Sequence, residues 1–480
     1  MSSPRVRFAP SPTGYFHVGS ARSALFNFFI ARQDPEGVLI LRIEDTDTER
    51  NREEWVDGIV AAMDWLGLGP YEGPFRQSDN THAHQDAISS LIDGGFLYYC
   101  DCTGDEVAAR KGDNKTPGYD SYCRDRGLAK GPTTALRFAT PAQGSTVVHD
   151  LIRGDVEFAH STIDDFVVAK SSGAVLFALA NVVDDRNDRI THVIRGEEHL
   201  PNTPKQILLW NALNEVSGTL TAVPVYAHLP LLVNEQRKKL SKRKDPVATE
   251  MYRDEGYLAE AFVNYLALLG WSPRGDAEKV PLSTLIDEFR LSDVSHSPAF
   301  FDVKKLQALN GDYIRELSLD DFVARTLPWL APREGEWQPS TTAPWRPEDF
   351  NEATYRAIAP LVQERVARLG EVVSMVDFLF LPDAPMDEAA YSKSIGNDAT
   401  ALAILATVAD ELADVEWNRD AIHALVVNVG ERFEWNLRKT QAPVRCAITG
   451  RLIGPPLFES IEILGRDESI RRLRAASARA

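Results

Sequence analysis

Two short apolar stretches near the amino terminus, separated by one helical pattern, restrict the fold more than any other feature of this chain. The stretches are residues 5–10 ("RVRFAP") and 37–43 ("GVLILRI"). Between them, apolar residues recur at helical spacing: Val18, Ala21, Leu25 and Phe28 or Phe29. A strand–helix–strand crossover normally joins parallel strands of a sheet that helices cover. The pattern therefore predicts an α/β fold built on a parallel sheet.

The remaining patterns extend this sheet and add helical regions. The chain has 480 residues, too many for one hydrophobic core, and we expect about three to five units. A helix over about 49–66 follows, and residues 174–196 resemble a second half of the same sheet, displaced by an insertion at roughly 95–172. Residues 252–270 predict one amphipathic helix. Residues 331–350 predict a surface loop, and nearly all of the chain beyond it is helical in pattern.

Charge is distributed unevenly along the chain. The net charge of −18 opposes a general affinity for phosphate backbones. However, residues 237–244 ("RKKLSKRK") carry six basic side chains in eight positions, and residues 432–480 carry ten lysines and arginines against five acids. Such local basic surfaces suit a nucleic acid held at chosen places, although charge runs are more often solvated surface.

No segment has the pattern of an export signal or a membrane span. The start, "MSSPRVRF", carries arginine where a secretory signal needs an apolar run. The longest apolar stretch, residues 174–183, is too short to cross a bilayer. Four cysteines, three of them clustered, do not form the pattern of a disulfide framework. We therefore expect a cytoplasmic protein that does not bind membranes.

The turn after the first predicted strand is suited to a phosphate group. His17 lies at a predicted helix start, where unpaired N–H groups and the helix dipole attract anions. Gly19 has no side chain, so a nucleotide could lie against the backbone. An imidazole in this place can donate to a phosphate oxygen as charge develops. By itself, a histidine here is more often a capping or packing residue.

The basic run 237–244 offers a second set of cations. Lys239 and Lys242 flank Ser241 in this run. A mobile loop of this kind could bring cations to a triphosphate and neutralise a leaving pyrophosphate. A P-loop motif is absent from the sequence.

Taken together, these motifs resemble those of a known family. "PSPTGYFHVGS" (10–20) resembles the HIGH signature and "KLSKR" (239–243) the KMSKS signature of class I aminoacyl-tRNA synthetases. With "RIEDTD", "NVVDD" and "VIRGEE" between them, the chain resembles the glutamyl-tRNA synthetases. The resemblance continues through "FDVKKLQALNGDYIREL" and "RCAITGRLIGPPLFESIEILG", hence almost end to end.

The resemblance implies an enzyme that ligates L-glutamate to tRNA(Glu) through a glutamyl-adenylate, using ATP with Mg²⁺. A class I, Rossmann-like parallel-sheet catalytic domain and an inserted α+β domain are expected, followed by helical domains, in a monomer. The implied domains are catalytic (1–95 and 173–227), inserted acceptor-binding (96–172), mainly helical stem-contact (228–312) and all-α anticodon-binding (313–375 and 376–480).

Site residues carry over from the family position by position. His17, Lys239 and Lys242 would stabilise the transition state. ATP would be bound by His17, Gly19, Ser20, Ser241 and Lys242. Glutamate would be bound by Arg7, Ala9, Ser11, Glu44, Phe177, Asn181 and Arg195, with Arg7 on the side-chain carboxylate and Glu44 on the ammonium. Without the family context, structural ion pairs would be the commoner role for these arginines.

Phe177 departs from the family pattern, which usually has tyrosine four residues before the asparagine. The missing hydroxyl predicts weaker glutamate binding or an altered, compensating contact.

A cysteine cluster in the insertion predicts a metal site. Cys100, Cys102 and Cys123 are three thiols close in sequence, with no histidine between them, which indicates a tetrahedral site lacking one ligand. Some glutamyl-tRNA synthetases, and the related glutamyl-queuosine-tRNA(Asp) synthetases, carry C-x-C followed by Y-x-x-x-C. This resemblance implies structural Zn²⁺ with Tyr119 as fourth ligand; Asp101 or Asp120 could substitute, and plain buried thiols are the alternative.

Specificity for tRNA is expected in the carboxy-terminal half. Arg365 falls where family members that distinguish tRNA(Glu) from tRNA(Gln) tend to carry arginine, so the resemblance implies an enzyme that discriminates against tRNA(Gln), although Arg365 could be one more exposed helix cation. Glutamyl-queuosine-tRNA(Asp) synthetase, a non-discriminating ligase, a non-catalytic tRNA-binding paralogue and a simple nucleotidyltransferase are the alternatives. The first and last of these would not need residues 313–480.

Overall fold

The computed structural model describes residues 3–46, 49–111, 118–241, 245–275 and 277–479. The chain divides into two compact units. The first comprises Met1–Met251 and Phe262–Val303, and the second comprises Tyr252–Ala261 and Lys304–Ala480.

All strands of the described residues lie in the first unit. They are β1 (Arg5–Phe8), β2 (Val38–Ile43), β3 (Glu72–Arg76), β4 (Leu97–Cys100), β5 (Ala135–Phe138), β6 (Ser145–Asp150), β7 (Gly154–Ala159), β8 (Val167–Ala169), β9 (His192–Gly196), β10 (Val225–Leu229), β11 (Leu232–Val233) and β12 (Ala299–Phe300).

The helices before residue 303 are interspersed with these strands. They are α1 (Val18–Arg32), α2 (Glu53–Trp65), α3 (Thr81–Asp93), α4 (Gly104–Lys111), α5 (Phe177–Asn187), α6 (Thr203–Ser217), α7 (Thr249–Glu255), α8 (Ala259–Ala267) and α9 (Leu282–Glu288). The predicted crossover is confirmed, because α1 connects β1 to β2 and these strands pair in parallel.

The main sheet has seven strands in the order β3-β2-β1-β9-β10-β6-β7. Every pairing in it is parallel except that of β6 with β7. As predicted, the segment around 174–196 supplies a second half of this sheet, because β9 pairs with β1. The carboxyl ends of β1 and β9 therefore meet at one edge, the usual place for a ligand in open parallel sheets.

Residues 96–172 divide between two sheets. Strands β4, β5 and β8 form a separate antiparallel sheet, whereas β6 and β7 extend the main sheet beside β10. The domain boundaries given above remain predictions.

The single helix predicted over 252–270 is wrong. Two helices, α7 and α8, occupy this stretch, and Gly256 lies between them with φ of +90°. A side chain at this glycine would meet backbone atoms of Leu369 and Gly370 at 2.4–2.9 Å. Close approach of a second backbone, together with positive φ, ends the helix here.

The second unit is helical in its described residues, as predicted. Its helices are α10 (Val303–Glu316), α11 (Leu319–Leu330), α12 (Glu352–Gln363), α13 (Val372–Phe380), α14 (Glu388–Ser394), α15 (Ala399–Glu411), α16 (Arg419–Arg432), α17 (Leu437–Thr449), α18 (Leu457–Leu464) and α19 (Arg466–Ala478). They enclose one apolar core that contains Cys446. Nowhere in the described chain is a helix long and apolar enough to cross a membrane.

Candidate active site

A cavity of about 510 Å³ opens at the carboxyl ends of β1 and β9. Most of the predicted site residues line it: Arg7, Ala9, Ser11, His17, Gly19, Ser20, Glu44, Phe177, Asn181, Arg195 and Lys239. Tyr15, Arg22, Glu198 and His199 also line it and were not predicted. Its walls carry cations, one buried carboxyl and a helix start, which together suit a small zwitterion beside a phosphate.

Arg7 is held by a buried ion pair. Its Nε donates to both oxygens of Asp185 at 3.1 and 3.3 Å. Arg42 donates to the same carboxylate at 2.6 Å. Burial opposes ionisation of Asp185, but the charges of Arg7 and Arg42 outweigh it and hold the pKa of Asp185 below its usual value. In the described part of the chain neither Nη atom of Arg7 has a protein hydrogen-bond partner, and Arg7 lines the cavity, so its guanidinium has donors left for a ligand there.

Arg195 forms the second cationic group of the cavity. Its Nη2 donates to Thr203 Oγ1 at 2.9 Å and to Gln206 Oε1 at 2.6 Å, and its Nε donates to His228 Nε2 at 3.3 Å. Burial, with the nearby charge of Arg7, lowers the pKa of Arg195 to about 10. Two guanidinium groups in one cavity provide the pair of cations that a dicarboxylate requires.

Glu44 is a buried acid that lines the same cavity as these two cations. Its Oε1 accepts a hydrogen bond from Asn181 Nδ2 at 2.5 Å, and Asn181 Oδ1 accepts one from Gln206 at 3.3 Å. Burial raises the pKa of Glu44 to about 7, although the charges of Arg42 and Arg7 oppose this rise. Glu44 is therefore poised to ionise when a cation enters the cavity.

His17 caps the amino terminus of α1. Its Nδ1 accepts a hydrogen bond from the Gly19 backbone at 2.9 Å. A neutral imidazole whose Nδ1 accepts must carry its proton on Nε2. A Cβ at Gly19 would approach Nδ1 to 3.2 Å, so glycine suits this cap. The same imidazole can therefore cap the helix through Nδ1 and donate to a phosphate oxygen from Nε2.

The basic run is described only in part. Lys239 lines the cavity, and its neighbour Ser241 donates a backbone hydrogen bond to Asp245 at 2.8 Å without lining the cavity. Lys242 lies outside the described residues.

Phe177 faces His199 across the cavity wall. Their ring centroids are 5.5 Å apart. Burial and the charge of Arg195 lower the pKa of His199 to about 4, so this imidazole is neutral near pH 7.

The three clustered cysteines converge as predicted. Their sulfur atoms all lie within 4.8 Å of one another, and Cys102 and Cys123 are 3.4 Å apart. Tyr119 Oη lies 3.4 Å from Cys100 Sγ and 3.7 Å from Cys102 Sγ. Tetrahedral zinc holds sulfur ligands about 3.8 Å apart, and sulfur and oxygen ligands about 3.5 Å apart. The two Tyr119 separations match this spacing and the Cys102–Cys123 separation is somewhat shorter, so the cluster is suited to one zinc ion.

Asp101 and Asp120, the alternative fourth ligands, each form an ion pair with an arginine. Asp120 accepts from Arg110 at 2.7 and 3.1 Å. Asp101 accepts from Arg126 at 2.7 and 3.2 Å, although its Oδ1 also lies 3.4 Å from Cys123 Sγ. Tyr119 is the better-placed fourth ligand of the three.

Comparison with known proteins agrees with these features. The profile described as "tRNA synthetases class I (E and Q), catalytic domain" matches residues 4–308. The glutamate–tRNA ligase of Frankia alni is 54% identical over 477 residues, covering 99% of this chain and 98% of that protein. The enzyme of Frankia casuarinae is 55% identical with the same coverage. The chain belongs to the glutamate–tRNA ligase family.

Solved structures of the glutamate–tRNA ligase family share the whole fold. The crystal structure of a glutamate tRNA ligase from Elizabethkingia meningosepticum, in complex with its amino acid, aligns with a TM-score of 0.79 and 28% identity, covering 99% of both chains. The profile "Anticodon binding domain" matches residues 321–477, the helical unit.

Arg365, predicted from the glutamate–tRNA ligase family pattern, lies just after α12. It is exposed, and its Nη1 donates to the Leu361 carbonyl at 2.9 Å. Burial, with the positive charge of Arg365, lowers the pKa of Arg445. The two guanidinium groups are therefore near enough for their charges to interact.

Sequence reasoning missed the residues that hold the cations in this ligase-family site. Asp185 occurs in the quoted "NVVDD", and an acid pair within an apolar helix could have indicated a buried ion pair. Thr203, Gln206 and His228 give no such signal, because only the packing of α6 on β9 and β10 brings them to Arg195.

Proposed function

We propose that this chain joins L-glutamate to tRNA(Glu) in an ATP-dependent reaction through glutamyl-adenylate. The observation that best supports this proposal is that Arg7, Arg195 and Glu44 line one cavity together with His17, the cap of α1. Family membership at above 50% identity supports the same reaction.

In the first step an α-carboxylate oxygen of glutamate attacks the α-phosphorus of ATP, and the bond to the β-phosphate breaks, releasing pyrophosphate with its Mg²⁺. In the second step a 2′-hydroxyl of the terminal adenosine attacks the activated carbonyl, and AMP leaves. Both steps depend on positioning and charge stabilisation.

The glutamate roles follow from chemistry at each wall. The planar guanidinium of Arg7 binds the side-chain carboxylate, which disfavours the uncharged amide of glutamine. Arg195 binds the α-carboxylate. Glu44, helped by Ser11 and the Ala9 carbonyl, binds the ammonium, and Phe177 and Asn181 complete the walls.

The ATP roles centre on the start of α1. His17 donates from Nε2 to a phosphate oxygen, and Gly19 and Ser20 allow the nucleotide to approach the helix end. Lys239 and Lys242, with Ser241, neutralise the leaving pyrophosphate.

The cysteine cluster holds structural zinc. Cys100, Cys102, Cys123 and Tyr119 are its ligands, in support of which the three sulfur atoms lie within 4.8 Å of one another and Tyr119 Oη lies 3.4 Å from Cys100 Sγ. The metal would stabilise the segment around β4 and β5, and it takes no part in the chemistry.

The helical unit selects the tRNA, and Arg365 favours tRNA(Glu) over tRNA(Gln). The match of residues 321–477 to an anticodon-binding profile argues against glutamyl-queuosine-tRNA(Asp) synthetase, which lacks this half. A non-discriminating ligase is the remaining alternative.

The test is charging of purified tRNA(Glu) with glutamate and glutamine offered separately. We expect ATP-dependent charging with glutamate alone. Arg7→Met should abolish it, whereas Arg5→Met should not, because Arg5 lies on the same strand but pairs with Glu72 at 2.7 Å. Absence of charging by the wild type, or equal loss in both variants, would contradict the proposal.

A further inference from the structure

A line of buried side chains joins Asp150 to the cavity. Asp150 ends β6, within residues 96–172, and His228 lies beside it on β10. His228 Nδ1 and Asp150 Oδ2 are 2.6 Å apart, and both side chains are fully buried. Neither residue lines the cavity.

The carboxylate of Asp150 accepts hydrogen bonds on both oxygens. Oδ1 accepts from the backbone N–H groups of Ile152 and Arg153 at 2.9 Å, and Oδ2 accepts from the His228 backbone at 3.0 Å. Burial opposes its ionisation, but the hydrogen bonds from His228 and the Arg153 backbone outweigh this and hold the pKa of Asp150 below its usual value.

The ionised Asp150 has no proton to donate, so the shared proton sits on His228 Nδ1. Burial and the charge of Arg195 lower the pKa of His228, although the hydrogen bond to Asp150 opposes this. The ring is therefore neutral, and its Nε2 presents a lone pair.

That lone pair faces the edge of Arg195. Arg195 Nε donates to His228 Nε2 at 3.3 Å, and Thr203 Oγ1 lies 3.1 Å from the same nitrogen. Thr203 and Gln206 hold Nη2. Nη1 of Arg195 is buried and, among the described residues, has no hydrogen-bond partner. With the other nitrogens occupied, Nη1 is the donor left for a ligand in the cavity that Arg195 lines.

We propose that Asp150 and His228 are positioning residues for Arg195: Asp150 fixes the tautomer of His228, and His228 orients the guanidinium towards the α-carboxylate of the substrate. This inference rests on the proposed function. The α-carboxylate is also the nucleophile, so a misdirected Arg195 should impair both glutamate binding and adenylate formation.

Asp150→Asn tests the tautomer step. The asparagine amide has one oxygen acceptor, whereas the carboxylate has two. If its NH₂ group faces the turn, it meets the backbone N–H groups there; if it faces His228, it meets the N–H of the ring. With NH₂ towards the ring, the proton moves to Nε2, and two donors then face each other at Arg195. We expect the KM for glutamate to rise at least about tenfold and the KM for ATP to change less than about twofold.

Substitutions at His228 test the second step. His228→Phe removes the acceptor and should raise the KM for glutamate as much as Asp150→Asn. His228→Gln can present its amide oxygen near the position of Nε2, and its KM for glutamate should therefore be close to that of the wild type. If His228 served only in packing, His228→Phe would instead keep a KM for glutamate closer to that of the wild type than His228→Gln.

A second His–Asp pair provides the matched control. His149 and Asp155 are 2.7 Å apart on the hairpin of β6 and β7, with side chains 77% and 71% exposed. Asp155→Asn and His149→Gln should leave both KM values within about twofold of the wild type.

The tautomer can also be observed directly, without any variant. In the ¹⁵N-labelled wild-type chain, long-range ¹H–¹⁵N spectra should show the His228 proton on Nδ1, assigned by its loss in His228→Gln. A proton on Nε2, or an Asp150→Asn protein that folds and keeps its KM for glutamate, would overturn the inference. Wild-type protein that fails to charge tRNA(Glu) would instead refute the proposed function, and the spectrum would still report on the tautomer.

Discussion

Asn181 donates a hydrogen bond to Glu44 over 2.5 Å, and this buried pair lines the same cavity as Arg7 and Arg195. Because burial raises the pKa of Glu44 to about 7, the carboxyl is increasingly protonated as the pH falls below 7. An ammonium group binds the ionised form, so substrate binding releases a proton below that pH. Glutamate affinity must therefore fall as the pH falls through 7.

We predict that the KM for glutamate rises about tenfold between about pH 8 and pH 6. The KM for ATP, measured in the same assays, should change much less. Glu44→Gln should raise the KM for glutamate at all pH values and flatten its pH profile. A wild-type KM for glutamate that stays constant over this range would contradict the assignment of Glu44.

Phe177→Tyr should lower the KM for glutamate. The cavity wall at Phe177 lacks a hydroxyl, and one added hydrogen bond contributes about 0.5–1.5 kcal/mol, so we expect a decrease of about two- to twelvefold. Phe177→Leu removes the ring contact with His199 without adding a hydroxyl, and it should not lower the KM. An unchanged KM in Phe177→Tyr would remove the idea that this position weakens binding.

His17 has two separable roles, and two variants distinguish them. His17→Asn keeps an oxygen acceptor for the Gly19 N–H but lacks the Nε2 donor, so helix capping and thermal stability should be retained. Its rate of tRNA-dependent ATP–pyrophosphate exchange should fall about 10²–10³-fold. His17→Ala should lose the rate and also about 1 kcal/mol of unfolding free energy. Normal exchange by His17→Asn would show that the ring serves only as a cap.

Zinc should copurify with the chain at about one ion per molecule. Cys100→Ser should lose the metal, and Tyr119→Phe should bind it more weakly because three thiolates remain. Cys446→Ser is the matched control, since Cys446 is a buried thiol of the other unit. Metal analysis of the four proteins decides the matter, and zinc-free wild type would leave plain buried thiols as the explanation.

Arg365→Gln should increase charging of tRNA(Gln) relative to tRNA(Glu), because the exposed guanidinium beside Arg445 is lost. We expect a change of about tenfold in the ratio of the two kcat/KM values. Arg474, an exposed arginine of the same unit that pairs with Asp410, provides the control as Arg474→Gln. Efficient charging of tRNA(Gln) by the wild type would favour a non-discriminating ligase.

The sequence was informative where local pattern decides structure. The strands predicted at 5–10 and 37–43 are β1 and β2, because short apolar runs bounded by turn residues are typical of buried strands. The break at Gly256 could not be predicted, because it depends on the approach of Leu369, more than a hundred residues away.

In the candidate site, too, motif residues could be predicted from the sequence, whereas residues brought in by distant contacts could not. The family resemblance named Arg7, Glu44 and Arg195, and these three line one cavity. The side chains that orient them escaped prediction. Asp185 reaches Arg7, and His228 reaches Arg195, only through the stacking order of strands and helices, which no local spacing records.

The pairing of β6 with β10 has a consequence for engineering. Residues 96–172 cannot be deleted or grafted as a self-contained cassette, because they supply two strands of the main sheet. Their excision would leave β10 with an open hydrogen-bonding edge, a template for association between chains. A shortened enzyme would need a replacement hairpin at that border to stay monodisperse.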